Sequence, residues 1–335
     1  MQRLPLCLRA LLLALATATT LPAQQAVINR AEQGAPTNPA TPALRPKTTD
    51  QAADEDAGVQ RVADPRRLPF KVTATLDEQL YATSNVFLEP SGSGSPEDAV
   101  ILATTGILRI DGLARSVGST VLIPSASFIW QRYLHGIATT DGTIEELDFD
   151  SYSLPLALAV RFGQGWEATA TFNSSAIYSV RGAPDYELLF RSYTPSLALR
   201  KIIELAETRF LIASASTAYS NTWTSATGVE DNRNDRADLT LDVAYMHLLG
   251  RWTLNPFARA NFSHYIHWQE AVNQDYDRDD LTLSSGLSVS YAFNDWSSLR
   301  VFASYDLRFS DSDSSVDYTY HSGSAGLGAT LSLRY

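Results

Sequence analysis

Over most of the chain, apolar residues occupy every second position. Tyr152, Leu154, Leu156, Leu158, Val160 and Phe162 alternate with Ser153, Ala157, Ala159 and Arg161. The pattern recurs with Leu281, Leu283, Leu287, Val289, Tyr291 and Phe293 set against Thr282, Ser284, Gly286, Ser288 and Ser290. It recurs again with Leu299, Val301, Ala303, Tyr305, Leu307 and Phe309 set against Arg300, Ser304, Asp306 and Arg308. The final segment sets Leu327, Ala329, Leu331 and Leu333 against Gly328, Thr330, Ser332 and Arg334, and ends on Tyr335. A period of two places one set on each face of a β-strand. Strands of soluble sandwiches are usually ~5–6 residues long. These run longer, as a tilted strand crossing a bilayer requires. An apolar face backed by a small or polar one suits a wall between lipid and water.

The connections fall into two classes. After strands near 70–82 and 99–112 come a long polar stretch, 83–98, and a short link around Arg115 to Gly118. The strand near 119–135 leads to a long loop, 136–147, and that near 148–162 to the tight turn Gly163-Gln164-Gly165. Further on, 181–185, 222–236, 269–280 and 310–318 read as the longer loops, and Ile203–Glu207, Gly250-Arg251 and Asn294-Asp295 as short ones. A chain weaving up and down through a membrane produces this alternation, with short periplasmic turns and longer outer loops. The pattern predicts an all-β fold, a transmembrane antiparallel up-and-down β-barrel of about twelve strands with both termini in the periplasm. Segment 186–202 is ambiguous in facing, and a bulge near Ser192 would reconcile it.

Tryptophan placement agrees with a barrel. Trp166, Trp252 and Trp296 directly follow short turns, while Trp130, Trp223 and Trp268 approach long loops. Indole rings favour the membrane–water boundary, so these six form two girdles, although Trp296 falls on the inward parity.

Composition changes the picture at the N-terminus. Arg3 and Arg9 precede the apolar run Leu11–Ala16, and Leu21-Pro22-Ala23 offers a small residue for cleavage. Residues 1–23 read as a cleavable signal peptide. The single cysteine, Cys7, lies within it, so the mature chain has neither a disulfide framework nor Cys metal ligands. Residues 24–69 contain no aromatic side chain but have prolines at 36, 39, 42, 46, 65 and 69. Such a segment reads as a disordered Pro/Ala-rich periplasmic linker. The barrel domain is then 70–335. A net charge of -11 excludes nucleic acid as a partner.

The segment Tyr81-Ala82-Thr83-Ser84-Asn85-Val86-Phe87 resembles the early Tyr-Asp-x-Asn-hydrophobic-Phe motif of the broad group of outer-membrane β-barrel porins of Gram-negative bacteria. Leu331, Leu333 and Tyr335 are similar to the C-terminal signal read by the outer-membrane β-barrel assembly machinery. The resemblance implies outer-membrane location and that assembly route.

Inward parity nominates Glu167, Asp238, Asp242, Arg259, Arg300, Asp306 and Arg308 as lumen and selectivity residues. Abundant inward Ser, Gly, Thr and Ala leave room between them. The expected function is a porin-like channel for small hydrophilic solutes, not an enzyme, with no cofactor and no metal site. A lumen filled by ion pairs is the structural alternative, since small barrels are filled by side chains and large ones hold water. A non-conducting surface barrel, plugged by side chains or by residues 24–69, and a barrel in an exopolysaccharide export system are the other candidates. Outer-membrane lipid and lipopolysaccharide are expected partners, the latter through divalent ions on the acidic groups Asp275, Asp277, Asp279 and Asp280. His264 and His267, close to Asp275 and Asp277, are the one rim grouping that would suit a hydrolase.

Overall fold

The structure, a computed structural model, describes residues 70–88, 97–135, 147–180, 186–225, 229–269, 275–312 and 319–335, with single positions 27, 28, 30, 137 and 144. Its strands are β1 (Phe70–Thr83), β2 (Ala99–Gly112), β3 (Arg115–Val117), β4 (Thr120–Leu134), β5 (Phe149–Phe162), β6 (Trp166–Ser179), β7 (Leu188–Ala206), β8 (Arg209–Thr224), β9 (Arg236–Leu249), β10 (Trp252–Gln269), β11 (Asp275–Ala292), β12 (Ser297–Ser312) and β13 (Tyr320–Arg334). Each long strand pairs antiparallel with its sequence neighbours. β1 also pairs with β13, from Thr73↔Arg334 to Thr83↔Ser324. β2 pairs directly with β4 from Leu102↔Leu134 to Asp111↔Ser125, while three-residue β3 pairs with β4 alone. The twelve long strands therefore close into a ring with no free edge among them.

The alternation read from sequence fixes the two faces. Every long strand presents exposed large apolar side chains outward, among them Leu76, Leu108, Phe128, Leu156, Phe172, Leu197, Leu239, Phe262, Leu283, Val301 and Leu327. A belt this continuous far exceeds the apolar patches soluble proteins expose, and suits acyl chains. The inward set includes many polar or small residues, with Asp77, Gln79, Thr105, Ser192, Ser220 and Arg300 buried, and also large rings such as Tyr81 and Phe149.

Several local expectations are corrected. β7 runs on through Ala206, so Ile203–Glu207 is mostly strand, and pairing continues across a register shift between Glu204 and Ala206. The irregularity in β7 lies at Leu189, opposite Ile177 and Tyr178, not at Ser192. Segment 269–280 is not a loop throughout, because β11 begins at Asp275 and carries Asp279 and Asp280 into the β10–β11 ladder, with Asp277 at its irregularity. Likewise β12 extends through Ser312 into the predicted 310–318 loop. Alternating Asp residues read as loop chemistry, yet cross-strand pairing satisfies their backbone and overrides their low strand propensity.

Gly286, Gly326 and Gly328 sit where an inward side chain presses on the wall. At Gly326 an added Cβ would come within 2.3 Å of the Leu80 carbonyl and 2.4 Å of Tyr81 Cβ. Tyr81, paired with Gly326 across the β1–β13 seam, occupies that space instead.

Candidate functional site

The candidate site is the lumen, which divides into two halves of different chemistry. From the short turns up to mid-height, partly exposed ion pairs line a vestibule. Glu167 on β6 accepts from Arg161 Nε and Arg200 Nη2, each at 2.7 Å, from the two flanking strands. Arg259 on β10 holds Asp242 on β9, and Arg109 Nε lies 2.8 Å from Asp111 Oδ1 on β2. The arginine side chains here are between one-third and three-fifths exposed. Such solvated pairs contribute little stability, and their charges stay exposed to solvent.

From mid-barrel towards the long loops the lumen is filled. Asp77, with a fully buried side chain, accepts from Arg300 Nη1 at 2.7 Å and Nη2 at 2.6 Å. Thr330 donates to the same carboxylate at 2.5 Å and Gln79 at 3.0 Å. These side chains come from β1, β12 and β13, so the cluster ties the seam where the ring closes. Arg300 lies flat on Gly328, where a Cβ would meet its guanidinium carbon at 2.8 Å. Closer to the rim, Asp280 is shared by Arg278 and Arg308, and Arg308 also donates to the Tyr265 hydroxyl at 3.0 Å.

Trp268 caps this end. It is fully buried, with the Arg278 guanidinium 3.9 Å and the Arg233 guanidinium 4.2 Å from its ring centre. Its sequence assignment to an outer girdle is thereby corrected. A bulge between Tyr265 and Trp268 shifts the parity by one residue and turns the indole inward. Trp296 lies exposed in the β11–β12 turn, and its carbonyl accepts from the amide of Ser332, the inward-facing residue opposite it. Trp130, Trp166, Trp223 and Trp252 face outward near the barrel ends.

All seven nominated lumen residues do face inward, but in different settings. Glu167, Asp242 and Arg259 line the vestibule. Asp238 sits near the rim, accepting from Arg236 at 3.1 Å and from the Ser263 hydroxyl at 2.5 Å. Asp306 is inward opposite Ser284. Arg300 and Arg308 are buried in ion pairs, which removes them as free selectivity charges.

Sequence reasoning missed Asp77 and a set of inward aromatic residues, Tyr81, Tyr133, Phe149, Phe190 and Phe302, all buried. The signal was present: an aromatic side chain on the inward parity fills a lumen. Tyr133 and Phe149 stack at 4.6 Å. Against this cluster pack three residues from the N-terminal segment: Val27, Ile28 and Arg30, in helical conformation and almost fully buried. Arg30 Nη2 donates to the Asn85 carbonyl at 2.9 Å and the Val86 carbonyl at 3.3 Å. The Tyr81–Phe87 motif thus receives the N-terminal residues at the end of β1.

Two groups beyond the strand ends have displaced titrations. Burial pushes His135 below its ordinary value, against the opposing pull of Asp148. A hydrogen bond with Tyr152 raises the Tyr186 hydroxyl above its usual range. His264 Nδ1 lies 2.8 Å from Asp279 Oδ1, both about half exposed on the outer surface. Among the described residues no cluster of His, Cys, Asp and Glu has metal-site geometry.

No family model matches the chain, and no curated protein matches it. Similar solved structures do exist. An outer membrane channel from Pseudomonas putida F1 is 13% identical, with 81% of this chain and 99% of that one covered at a TM-score of 0.48. The translocator domain of the autotransporter NalP from Neisseria meningitidis is 12% identical, with 80% and 90% covered at 0.41. The KdgM porin is 8% identical, with 77% and 98% covered at 0.35.

Proposed function

We propose that the protein is an outer-membrane channel for small hydrophilic solutes, held closed near its outer end by its own N-terminal segment. The observation that carries this reading is the seating of Val27 and Ile28 among inward-facing Tyr81, Ile101, Tyr133 and Phe149, with Arg30 bonded to the Asn85 and Val86 carbonyls. The signal peptide and the outward apolar belt favour the outer membrane, and the loop asymmetry orients the long loops outward. The vestibule then opens to the periplasm, where Ser, Thr and paired charges suit hydrated solutes.

Geometry allows such a plug. In sequence, 39 residues separate Arg30 from Phe70 at the short-turn end. Their extended reach exceeds ~100 Å, against a barrel wall only ~35 Å high for a tilted strand of this length. Arg30 supplies register, since its two backbone acceptors lie just beyond β1.

Planar-bilayer recording of the mature chain beside the Val27→Asp, Ile28→Asp double variant tests this. The mature chain should dwell closed, and the variant should open far more often, because two carboxylates cannot stay among buried aromatic rings. A variant that folds, shown by heat-modifiable gel mobility, yet stays silent would refute the plug.

A further inference from the structure

Around the outer boundary of the barrel, the exterior is not uniform. On the arc from β4 to β8, pairing runs Trp130↔Tyr152↔Ala176↔Arg191↔Trp223 in one lateral row, all outward. The next row towards the loops runs Arg132↔Asp150↔Tyr178. On the other arc the outward groups at this level include His264 with Asp279, and Asp311 on β12. One side is therefore cationic and aromatic, and the other carries carboxylates.

The aromatic side has built geometry. Arg132 donates from Nε and Nη2 to Asp150 at 2.8 and 2.7 Å, and the Asp150 side chain is almost completely buried. The Tyr186 hydroxyl donates to the same carboxylate at 3.0 Å, and its ring stacks on Tyr178 at 5.3 Å. Tyr186 holds a left-handed backbone, φ 63°, which costs energy for a bulky residue and is maintained here by those contacts. Asp150 is thus saturated by its own neighbours, while Arg132, over one-third exposed, points Nη1 at no partner among the described residues. Arg191 also lacks a carboxylate partner there and rests 5.6 Å from the Trp223 ring. Between Tyr152 and Arg191 the wall carries only Ala176, which leaves a shallow seat flanked by rings.

The geometry points to a docking site for a phosphorylated disaccharide headgroup of an outer-leaflet glycolipid, seated over Ala176 and clamped by Arg132 and Arg191. The two arginines are on strands three steps apart and two residues apart along the strand, about 16 Å between backbones at ordinary strand spacing and rise. A headgroup with a phosphate at each end of two sugar rings presents its anions across such a span. Guanidinium groups bind phosphate through forked, charge-assisted hydrogen bonds, and aromatic faces accept the apolar faces of sugars. Acyl chains attached below the sugars would lie against Phe172 and Tyr193, whose rings stack at 6.4 Å lower on the same wall. A simple phospholipid offers one anion and no sugar face, so it would use at most half of the site.

The inference rests on the proposed outward orientation of the long loops. Detergent-solubilised mature protein, titrated with diphosphorylated lipid A and followed by native mass spectrometry, supplies the test. Lipid A should bind at least about tenfold more tightly than its dephosphorylated form or phosphatidylglycerol, the margin that a single charge-assisted hydrogen bond provides. The Arg132→Gln, Arg191→Gln pair should lose that margin. Arg191→Gln alone, which disturbs no ion pair, should lose part of it while retaining normal heat-modifiability. Equal affinity for lipid A and phosphatidylglycerol, or unchanged lipid A binding by a folded double variant, overturns the site. Labelling of a tag inserted at 226–228 on intact cells reports orientation separately. Surface labelling with failed lipid binding removes the headgroup site alone, and absent labelling removes the orientation beneath it.

Discussion

Removing residues 24–69 is expected to turn a mostly closed barrel into an open one. Two buried aliphatic side chains, Val27 and Ile28, leave the aromatic cluster on deletion. Burial of each is worth ~1.5–3 kcal/mol. Even ~3 kcal/mol in total corresponds to an open fraction below ~1% while the segment is present. Deletion should therefore raise open probability on the order of a hundredfold. Liposome swelling gives the solute readout: vesicles with the truncated chain should swell in small sugars and remain resistant to large ones. Equal swelling with and without the segment would mean that closure has another origin.

The second large effect concerns the seam. Replacing Asp77 by Ala leaves the Arg300 guanidinium buried with no compensating carboxylate. Breaking a buried pair from one side costs ~3–5 kcal/mol, whereas removing both charges in favour of apolar volume is often close to neutral. The Asp77→Ala barrel should unfold at clearly lower denaturant concentration in a detergent titration. Adding Arg300→Met should recover most of the loss. If Asp77→Ala cost less than ~1 kcal/mol, the cluster would not be what fastens β1 to β13. The same geometry changes what Arg300 is for: reversing its charge should lower stability more than it shifts ion selectivity, a split visible by comparing reversal potentials with unfolding curves.

Much of the fold was legible in the residue pattern alone. The outward column Leu154, Leu156 and Leu158, and the tight turn after Phe162, define both a strand and its end, because alternation and turn chemistry are local. The β1–β13 closure followed from the even weave. What failed was whatever depends on a neighbour. Asp277 and Asp279 look like loop residues until β10 pairs with their strand. Trp268 has outward parity until a bulge across from Tyr276 reverses it. The filling of the outer lumen was misjudged because the small inward residues were weighed and the inward Tyr81, Tyr133 and Phe149 were not. Residues 24–69 lack the composition of a folded core, and Val27, Ile28 and Arg30 find their place only inside a wall built by other parts of the chain.

No cysteine follows Cys7, which allows a direct measurement of where that segment lies. Ile28→Cys combined with Ala103→Cys on the inner wall, and separately with Leu156→Cys on the outer wall, can be treated with a short bismaleimide in native membranes. The inner pair should cross-link within the folded barrel and the outer pair should not. Failure of the inner pair, with the thiol introduced at position 28 freely modified by a soluble maleimide, would place the N-terminal segment outside the lumen and contradict the closed channel.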